Sequence, residues 1–329
     1  MTNTVLIRKG FYRGTEITDT EFNVVKPLTE GAKGLFITVD GTPHAGFPDS
    51  KIRVTVATED DVVDTRDVAP KQTDDEVMDE MAQRFEILDD MTKAAVDGVV
   101  RGLIVTGPPG IGKSYGVEKI IEQAQVRAKI AGEHCSAKFG VEKGSASPIG
   151  LFMLLYQYSE AGSLLVLDDS DTILYDEISL NMLKAALDSG HKRKLSWRSE
   201  SKALENAGVP DEYEFKGAII FITNLNFENA RGKIGAHLEA IMSRCHYLDM
   251  GISDAHHKFL RCKQIVRDGM LDGYRFGEQG KMDVLNFIRV NQHNLRELSL
   301  RMVKKVADLR EMDEKRWTLY AKNTCLRNR

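Results

Sequence analysis

The residues with the clearest chemical potential form one short segment, Gly107-Pro108-Pro109-Gly110-Ile111-Gly112-Lys113-Ser114. It matches the pattern G-x-x-x-x-G-K-[ST]. An apolar, β-prone run, Leu103–Thr106, precedes it, and apolar residues at helical spacing follow it. Glycines let backbone N–H groups surround an oxyanion, and the following helix directs its positive end to the same place. The segment therefore predicts a loop that binds the phosphates of a nucleoside triphosphate.

Two side chains of this segment have predicted chemical roles. Lys113 reaches the β- and γ-phosphates, and the Ser114 hydroxyl ligates Mg²⁺. The residues predicted to contact the nucleotide are Gly107, Pro108, Pro109, Gly110, Ile111, Gly112, Lys113, Ser114 and Tyr115.

Carboxylates and an amide follow two later apolar runs. Asp168 and Asp169 end the run that starts at Ser163, and Asn224 ends the run that starts at Ala218. The carboxyl end of a parallel strand is where a nucleotide site needs such groups. We expect Asp168 to hold Mg²⁺ and Asp169 to orient and deprotonate the attacking water. The Asn224 amide can hydrogen-bond the γ-phosphate or that water.

Composition limits the class of protein. The chain has 329 residues, of which 42% are hydrophobic and 29% charged, as expected for a globular protein of two or three domains. The net charge of −4 gives no overall cationic field, so any nucleic-acid contact must be local. No apolar run reaches membrane-spanning length and no signal peptide is recognisable, which favours a cytoplasmic protein without a membrane partner. The four cysteines form no C-x-x-C pair, so zinc is not expected.

The order of predicted elements indicates the domains. Strands that alternate with helices and read as continuous apolar runs favour a parallel sheet covered on both faces. A helix is expected over 74–93, and a strand over 134–139. The predicted segments are a small β-rich domain over 1–58, an acidic linker over 59–76, an α/β nucleotide-binding domain over 77–249, and a helical domain with a basic tail over 250–329.

Together the phosphate loop, the runs LLVLDD and IIFITN, and the later helical region resemble the AAA+ ATPases, over roughly residues 77–310. The resemblance, which extends to compact phage-encoded members, implies a P-loop α/β core with a C-terminal helical lid. It also implies ATP and Mg²⁺ as cofactors, hydrolysis of ATP to ADP and phosphate, and a homo-oligomeric ring or spiral, with a hexamer expected. A viral member would work in the host cytoplasm.

By this resemblance Gly107–Ser114 is Walker A, Asp168-Asp169 is Walker B and Asn224 is sensor 1. The family usually has glutamate where Asp169 stands, and a side chain shorter by one methylene leaves the rate of turnover open.

The resemblance also assigns roles to two arginines. Arg244, in Ser243-Arg244-Cys245, is similar to the arginine finger of the clamp-loader motif, which a neighbouring subunit supplies to the γ-phosphate. Arg231 is the alternative finger. Arg296 resembles sensor 2 of the lid, with Arg301 as the alternative.

The segment Leu187–Lys216 stands where some AAA+ subfamilies carry a presensor-1 β-hairpin, which in several helicases contacts DNA. A tryptophan lies among its cations, a mixture that suits phosphate contact and base stacking, although an edge strand with protective charges is the alternative. The loop Val141–Ser145 occupies the position of the first pore loop and lacks the aromatic residue of protein-threading unfoldases. The predicted substrate contacts are Lys143, Lys192, Arg193, Lys194 and Arg198.

The sequence therefore predicts an oligomeric AAA+ ATPase that remodels or translocates a macromolecule. DNA is the first candidate, in a helicase-like or clamp-loader-like role. The alternatives are a MoxR-like chaperone, whose N-terminal domain binds a client protein, and a regulatory nucleotide switch.

Overall fold

The computed structural model describes residues 4–31, 34–44, 47, 49–64, 73–132, 136–225, 227, 232–252 and 254–327. The chain forms two compact units, Met1–Thr73 and Asp74–Arg329. Among the described residues, no helix combines the length and the apolar character that crossing a membrane requires.

The N-terminal unit is a small antiparallel barrel. Its strands are β1 (Thr4–Tyr12), β2 (Thr15–Gly31), β3 (Gly34–Asp40), β4 (Ile52–Val56) and β5 (Val62–Asp64). They are ordered β2-β3-β4-β1-β5, and β1 also pairs with β2, so the sheet closes on itself. The buried interior is made of aliphatic side chains and one aromatic ring: Val5, Ile7, Ile17, Phe22, Ile37, Val39, Ile52, Val54 and Val56.

Strands β1 to β4 agree with the β-rich character predicted for this part of the chain. β1 and β2 are joined by a two-residue turn in which Arg13 has φ 49° and Gly14 has φ 89°. Two positive φ angles are what a tight hairpin turn requires. Strand β5 pairs with β1, with Ile7 opposite Val62. The barrel therefore includes Val62–Asp64, which the sequence assigns to the acidic linker.

The second unit carries the predicted nucleotide site. Its strands are β6 (Gly102–Thr106), β7 (Phe139–Lys143), β8 (Leu164–Asp168), β9 (Lys194–Ser196), β10 (Glu212–Glu214), β11 (Ala218–Thr223) and β12 (His246–Asp249). Its helices are α1 (Asp74–Val96), α2 (Lys113–Ala131), α3 (Pro148–Gln157), α4 (Glu177–Ala186), α5 (Lys202–Ala207), α6 (Gly232–Met242), α7 (Ala255–Ile265), α8 (Gly277–Asn291), α9 (Leu300–Met312) and α10 (Trp317–Cys325).

Five strands form one parallel sheet in the order β12-β6-β11-β8-β7. Helices cover both faces of this sheet, so that a hydrophobic core lies on each face. Side chains of each central strand alternate between these two cores. In β6, for example, Ile104 packs with α3, α4 and α6, while Leu103 and Val105 pack with α1, α2 and α7. The predicted fold class, a P-loop α/β core with a helical C-terminal region and a small β-rich N-terminal unit, is confirmed.

The helical C-terminal region has its own core. Helices α7 to α10 bury a cluster that includes Val266, Val284, Phe287, Val303 and Trp317. The region also reaches the sheet domain, since Leu260 of α7 belongs to the core that α1 and α2 form against the sheet. This contact places the start of α9 near the phosphate loop.

Two strands differ from the sequence prediction. The strand expected over 134–139 lies over Phe139–Lys143, where it pairs with β8, while residues 133–135 lie outside the described part of the chain. Val141–Lys143 are therefore sheet, and not part of the loop predicted over Val141–Ser145. Strand β12 was not predicted, because it is a short edge strand in which polar His246 and Asp249 flank only two apolar residues.

Candidate nucleotide-binding site

The phosphate loop joins the end of β6 to the start of α2. Gly107, Gly110 and Gly112 have φ angles of 153°, 75° and 100°, and Gly112 is the N-cap of α2. A Cβ atom at Gly110 would lie 2.6 Å from Cβ of Ser299. Only glycine permits this conformation beside that neighbour. The backbone thus wraps ahead of a helix N-terminus, which is the geometry that binds phosphate.

Lys113 lies inside this loop. Its ammonium donates to the carbonyl oxygens of Gly107 at 2.6 Å and Pro108 at 3.1 Å, and to Oδ1 of Asn224 at 2.9 Å. Burial lowers the pKa of Lys113 to about 8, against the opposing charges of neighbouring aspartates, Asp169 foremost. The structure therefore brings together the lysine and the sensor amide that the sequence predicts.

The residues predicted to hold Mg²⁺ are in contact. Ser114 Oγ donates to Oδ1 of Asp168 at 2.9 Å. The other oxygen of Asp168 lies 3.3 Å from the ammonium of Lys143, which also pairs with Glu118 at 2.5 Å. Among the described residues, no group of three or more His, Cys, Asp and Glu side chains could hold a metal alone. One hydroxyl and one carboxylate suit Mg²⁺, which takes its remaining ligands from phosphates and water.

Asp169 directs its carboxylate toward the same place. Its φ of 51° is unusual for a residue other than glycine, and its N–H donates to the carbonyl of Ile222 at 3.0 Å. Oδ1 of Asp169 accepts from the Asn224 amide at 3.0 Å. Left-handed backbone at such a point costs free energy and turns the side chain away from the strand. Asp169 and Asn224 are therefore positioned as a pair.

Asp171, which was not predicted as a site residue, fixes the end of β11. Thr223 Oγ1 donates to Oδ1 of Asp171 at 2.6 Å and accepts from the N–H of Leu225 at 3.0 Å. Asp171 also acts electrostatically on Lys113. The run of aspartates after β8 contained this signal, since a third carboxylate two residues on points to the same edge.

Arg301, the alternative for the sensor 2 position, belongs to helix α9. Helix α9 starts at Leu300, because Ser299 caps it by accepting from the N–H of Met302 at 3.2 Å. The Leu300 N–H donates to the carbonyl of Gly110 at 2.8 Å. Arg301 therefore lies in the first turn of α9, next to the phosphate loop, and its positive charge helps to lower the pKa of Lys113.

Arg296 precedes that helix. It is exposed, and its backbone N–H pairs with the carbonyl of Cys325 at 2.9 Å. Arg296, the first candidate for sensor 2, therefore lies before helix α9, because the Ser299 cap sets the start of that helix.

Arg261 of α7 was also missed and lies beneath the loop. Its side chain is 6% exposed, Nε donates to the carbonyl of Ile111 at 3.4 Å, and Nη1 donates to Gln264 at 2.6 Å. The guanidinium stacks on the ring of Phe85, 3.5 Å from its centroid, and burial lowers its pKa to about 10. No local sequence pattern marks Arg261, because its partners come from distant elements. It links the helical region to the phosphate loop.

The predicted finger, Arg244, lies at the opposite edge of the sheet. It follows α6 and precedes β12, whose first residue pairs with Leu103 near the start of β6. Nη1 donates to the carbonyl of Ala240 at 2.5 Å, and Nε lies 3.8 Å from Asp188. Strands of four and five residues separate this edge from Lys113 by roughly 13–17 Å. Arg231 lies outside the described residues.

The predicted DNA-contacting segment does form a small antiparallel hairpin-like sheet, from β9 and β10. Its cations differ in exposure, however. Arg193 is 7% exposed, and Trp197 is half-buried against the ring of Phe152. Lys194 and Arg198 are exposed and share Glu212, at 2.6 and 2.8 Å. Of the basic and aromatic residues predicted to form a surface here, the cations Lys192, Lys194 and Arg198 are the exposed ones.

Three further residues that the sequence predicts as contacts differ in their exposure and position. Ile111 is buried in the core beneath the loop, while Tyr115 is 74% exposed on the first turn of α2. Lys143, predicted as a substrate contact, instead ends β7 beside the carboxylate of Asp168.

A known protein shares most of this chain. An uncharacterized 36.7 kDa protein of Enterobacteria phage T4, from the nrdC-mobD intergenic region, is 32% identical over 326 residues, which are 95% of each chain. The present chain belongs to the family of that T4 protein. Because the T4 protein is uncharacterized, membership of its family assigns no activity. No protein-family model matches the sequence.

Two solved structures are similar in part. The crystal structure of Cdc6p from Pyrobaculum aerophilum aligns with a TM-score of 0.39 and 13% identity, over 79% of this chain and 66% of that one. The structure of C. elegans PCH-2 aligns with a TM-score of 0.29 and 13% identity, over 75% and 64%. The chain thus spans about two thirds of their lengths. Likenesses of this strength say nothing about what this member of the T4 family binds or does.

The pKa of Lys113 predicts that nucleotide binding takes up a proton. An ammonium with a pKa of about 8 is mostly neutral at about pH 8.5, and adjacent phosphates raise that pKa again. We expect uptake of roughly 0.7 proton per site at about pH 8.5 and little at about pH 6, so affinity falls as pH rises through the pKa. Calorimetric titration in buffers of different ionisation enthalpy measures this. Equal uptake at both pH values would contradict the assignment.

The two lid arginines form a matched pair of variants. We expect Arg301→Ala to weaken Mg-ATP binding about tenfold or more, because a charge-assisted contact to phosphate is lost. Arg296→Ala, four residues before the helix, is expected to leave affinity within about twofold. Titration with a fluorescent ATP analogue compares them, and the reverse order of effects would restore Arg296 as the sensor.

Proposed function

We propose that the protein is an ATPase of the AAA+ type, which hydrolyses ATP to ADP and phosphate. The observation that carries the proposal is the convergence of five hydrogen-bonded groups at one sheet edge. Lys113 bonds Asn224, Asn224 bonds Asp169, and Ser114 bonds Asp168. The strand order supports it, since β11, which ends at the sensor amide, lies between β6 and β8.

The arrangement suggests a division of labour. Ser114 and Asp168 would hold Mg²⁺, which neutralises charge on the β- and γ-phosphates when bound. Lys113 would exchange its loop carbonyls for phosphate oxygens, and Asn224 would then orient the water. Asp169, whose backbone is in the left-handed region and whose side chain is exposed, would accept the proton of that water. Arg301 would contact the γ-phosphate from the helical region.

Hydrolysis in this proposal requires a second copy of the chain. Arg244 lies at the sheet edge remote from its own phosphate loop, so it can serve only a nucleotide bound by a neighbour. A cation beside the γ-phosphate stabilises the charge that develops during transfer. We therefore propose a homo-oligomer in which each triphosphate lies between subunits, with a hexamer as the expected form.

For the macromolecule on which the ATPase acts, we propose DNA, with a client protein as the alternative. The exposed cations Lys192, Lys194 and Arg198 support this choice. Two of them share Glu212 in exposed surface ion pairs, which are weak and can be exchanged for contacts with phosphate. Sequence-independent contacts of this kind bind DNA with steep salt dependence.

The test is the rate of phosphate release with and without DNA. We expect hydrolysis that Asp169→Asn abolishes while Mg-ATP still binds, and stimulation by single- or double-stranded DNA that salt suppresses. Replacing Lys192, Lys194 and Arg198 together with alanine should remove the stimulation and leave the basal rate. Exposed Lys202→Ala is the control. Absence of hydrolysis under all conditions would refute the ATPase, and hydrolysis indifferent to DNA would favour a protein client.

A further inference from the structure

A second cationic cavity lies at the edge of the sheet opposite the phosphate loop. It has a volume of about 280 Å³ and is formed where β6, β8 and β11 begin. Its charged or titratable lining groups are Arg101, His191, Arg193, Glu214 and Lys216. Three of these are permanent cations and one is a carboxylate. The cavity, which we call the rear pocket, therefore carries a net positive charge.

Arg193 is the buried cation of the rear pocket, and burying its charge is energetically unfavourable. Its Nη1 donates to the carbonyls of Ala186 and Gly217, both at 3.0 Å, and the guanidinium stacks on the ring of Phe215. These contacts anchor the side chain with two hydrogen bonds from one nitrogen, although a guanidinium carries five N–H donors. Burial and the nearby charge of Arg101 lower the pKa of Arg193. A buried cation beside a second cation is destabilising unless an anion compensates it.

The carboxylate in the pocket does not supply that compensation alone. Glu214 acts electrostatically on Arg193, but it is shared with Lys216, whose ammonium lies 3.5 Å away. Arg101 and Lys216 are exposed at the rim. The buried guanidinium and the two exposed cations thus leave room for an oxyanion among them.

We propose that the rear pocket binds a phosphate group. Arginine forks match phosphate oxygens in geometry and hold them with charge-assisted hydrogen bonds. The volume exceeds what one phosphate fills, so the group can be a free polyphosphate or a phosphodiester of nucleic acid that enters at the rim. This site is separate from Lys113 and does not depend on ATP hydrolysis.

The test uses the full chain carrying Lys113→Ala, which removes phosphate binding at the first site. Inorganic pyrophosphate and a short single-stranded oligonucleotide are each titrated calorimetrically. We expect at least one to bind, and expect Arg101→Glu, added to the same chain, to weaken that binding about tenfold or more. Arg127→Glu, an exposed arginine of α2, is the matched control and should have no effect.

The two probes distinguish the sources of the phosphate. Binding of pyrophosphate indicates a free ligand, whereas binding of the oligonucleotide alone indicates a nucleic-acid backbone. Lys216→Gln provides a second rim variant and should weaken the same probe. The proposal is overturned if neither probe binds, or if Arg101→Glu binds both as tightly as the Arg127→Glu control.

Discussion

Lys113→Ala is expected to weaken Mg-ATP binding by at least about 100-fold and to abolish hydrolysis. The lysine ammonium lies inside the phosphate loop, where it donates to the carbonyls of Gly107 and Pro108. Contacts between an ammonium and phosphates in a buried site contribute about 3 kcal/mol or more. Their loss corresponds to at least that change in affinity.

The same substitution should not unfold the protein. Burial lowers the pKa of Lys113 to about 8, which means that the charged form is disfavoured in the folded chain. Removing it is therefore expected to leave the free energy of unfolding unchanged or higher near neutral pH. Lys119→Ala, at an exposed position of the same helix, is the control for both measurements. Retained ATP affinity in Lys113→Ala would contradict the phosphate-loop assignment.

Arg244→Ala is expected to lower the turnover rate by about 10³-fold or more while Mg-ATP affinity stays within about twofold. The reason is its position: the side chain is tied to Ala240 and Asp188 at the sheet edge remote from Lys113. Under the proposed mechanism, a residue there would contribute to a neighbour's reaction and not to binding in its own subunit.

Mixing two inactive variants separates this role from a structural one. Subunits with Arg244→Ala keep an intact phosphate loop and Asp169, whereas subunits with Asp169→Asn keep an intact finger. In a mixed oligomer some interfaces combine the two intact halves, so activity should return in part. Mixtures that stay inactive, with both variants folded and oligomeric, would show that Arg244 does not act between subunits.

The centre of the site was predictable because local chemistry determines it. The spacing of glycines and Lys113 dictates a loop, and continuous apolar runs dictate strands buried on both faces. Since parallel strands end at one edge, Asp168, Asp169 and Asn224 were expected to meet there, and their hydrogen bonds agree with this.

The errors arose where tertiary contacts outweigh local pattern. Arg296 was preferred over Arg301 because of the resemblance to sensor 2, but the Ser299 cap starts helix α9 only after Arg296. The run of cations at Lys192–Lys194 suggested a uniform surface, yet alternation along a strand turns Arg193 inward. Arg261 carried no signal at all, because its partners Phe85 and Ile111 are far away in sequence.

If two copies of the chain complete each nucleotide site, the rate of hydrolysis per subunit must depend on protein concentration. Specific activity is measured over a dilution series, with the mass of the particles followed in the same samples by light scattering. We expect the activity per subunit to fall as assemblies dissociate and to vanish for the monomer. A monomer that hydrolyses ATP at the full rate would contradict it.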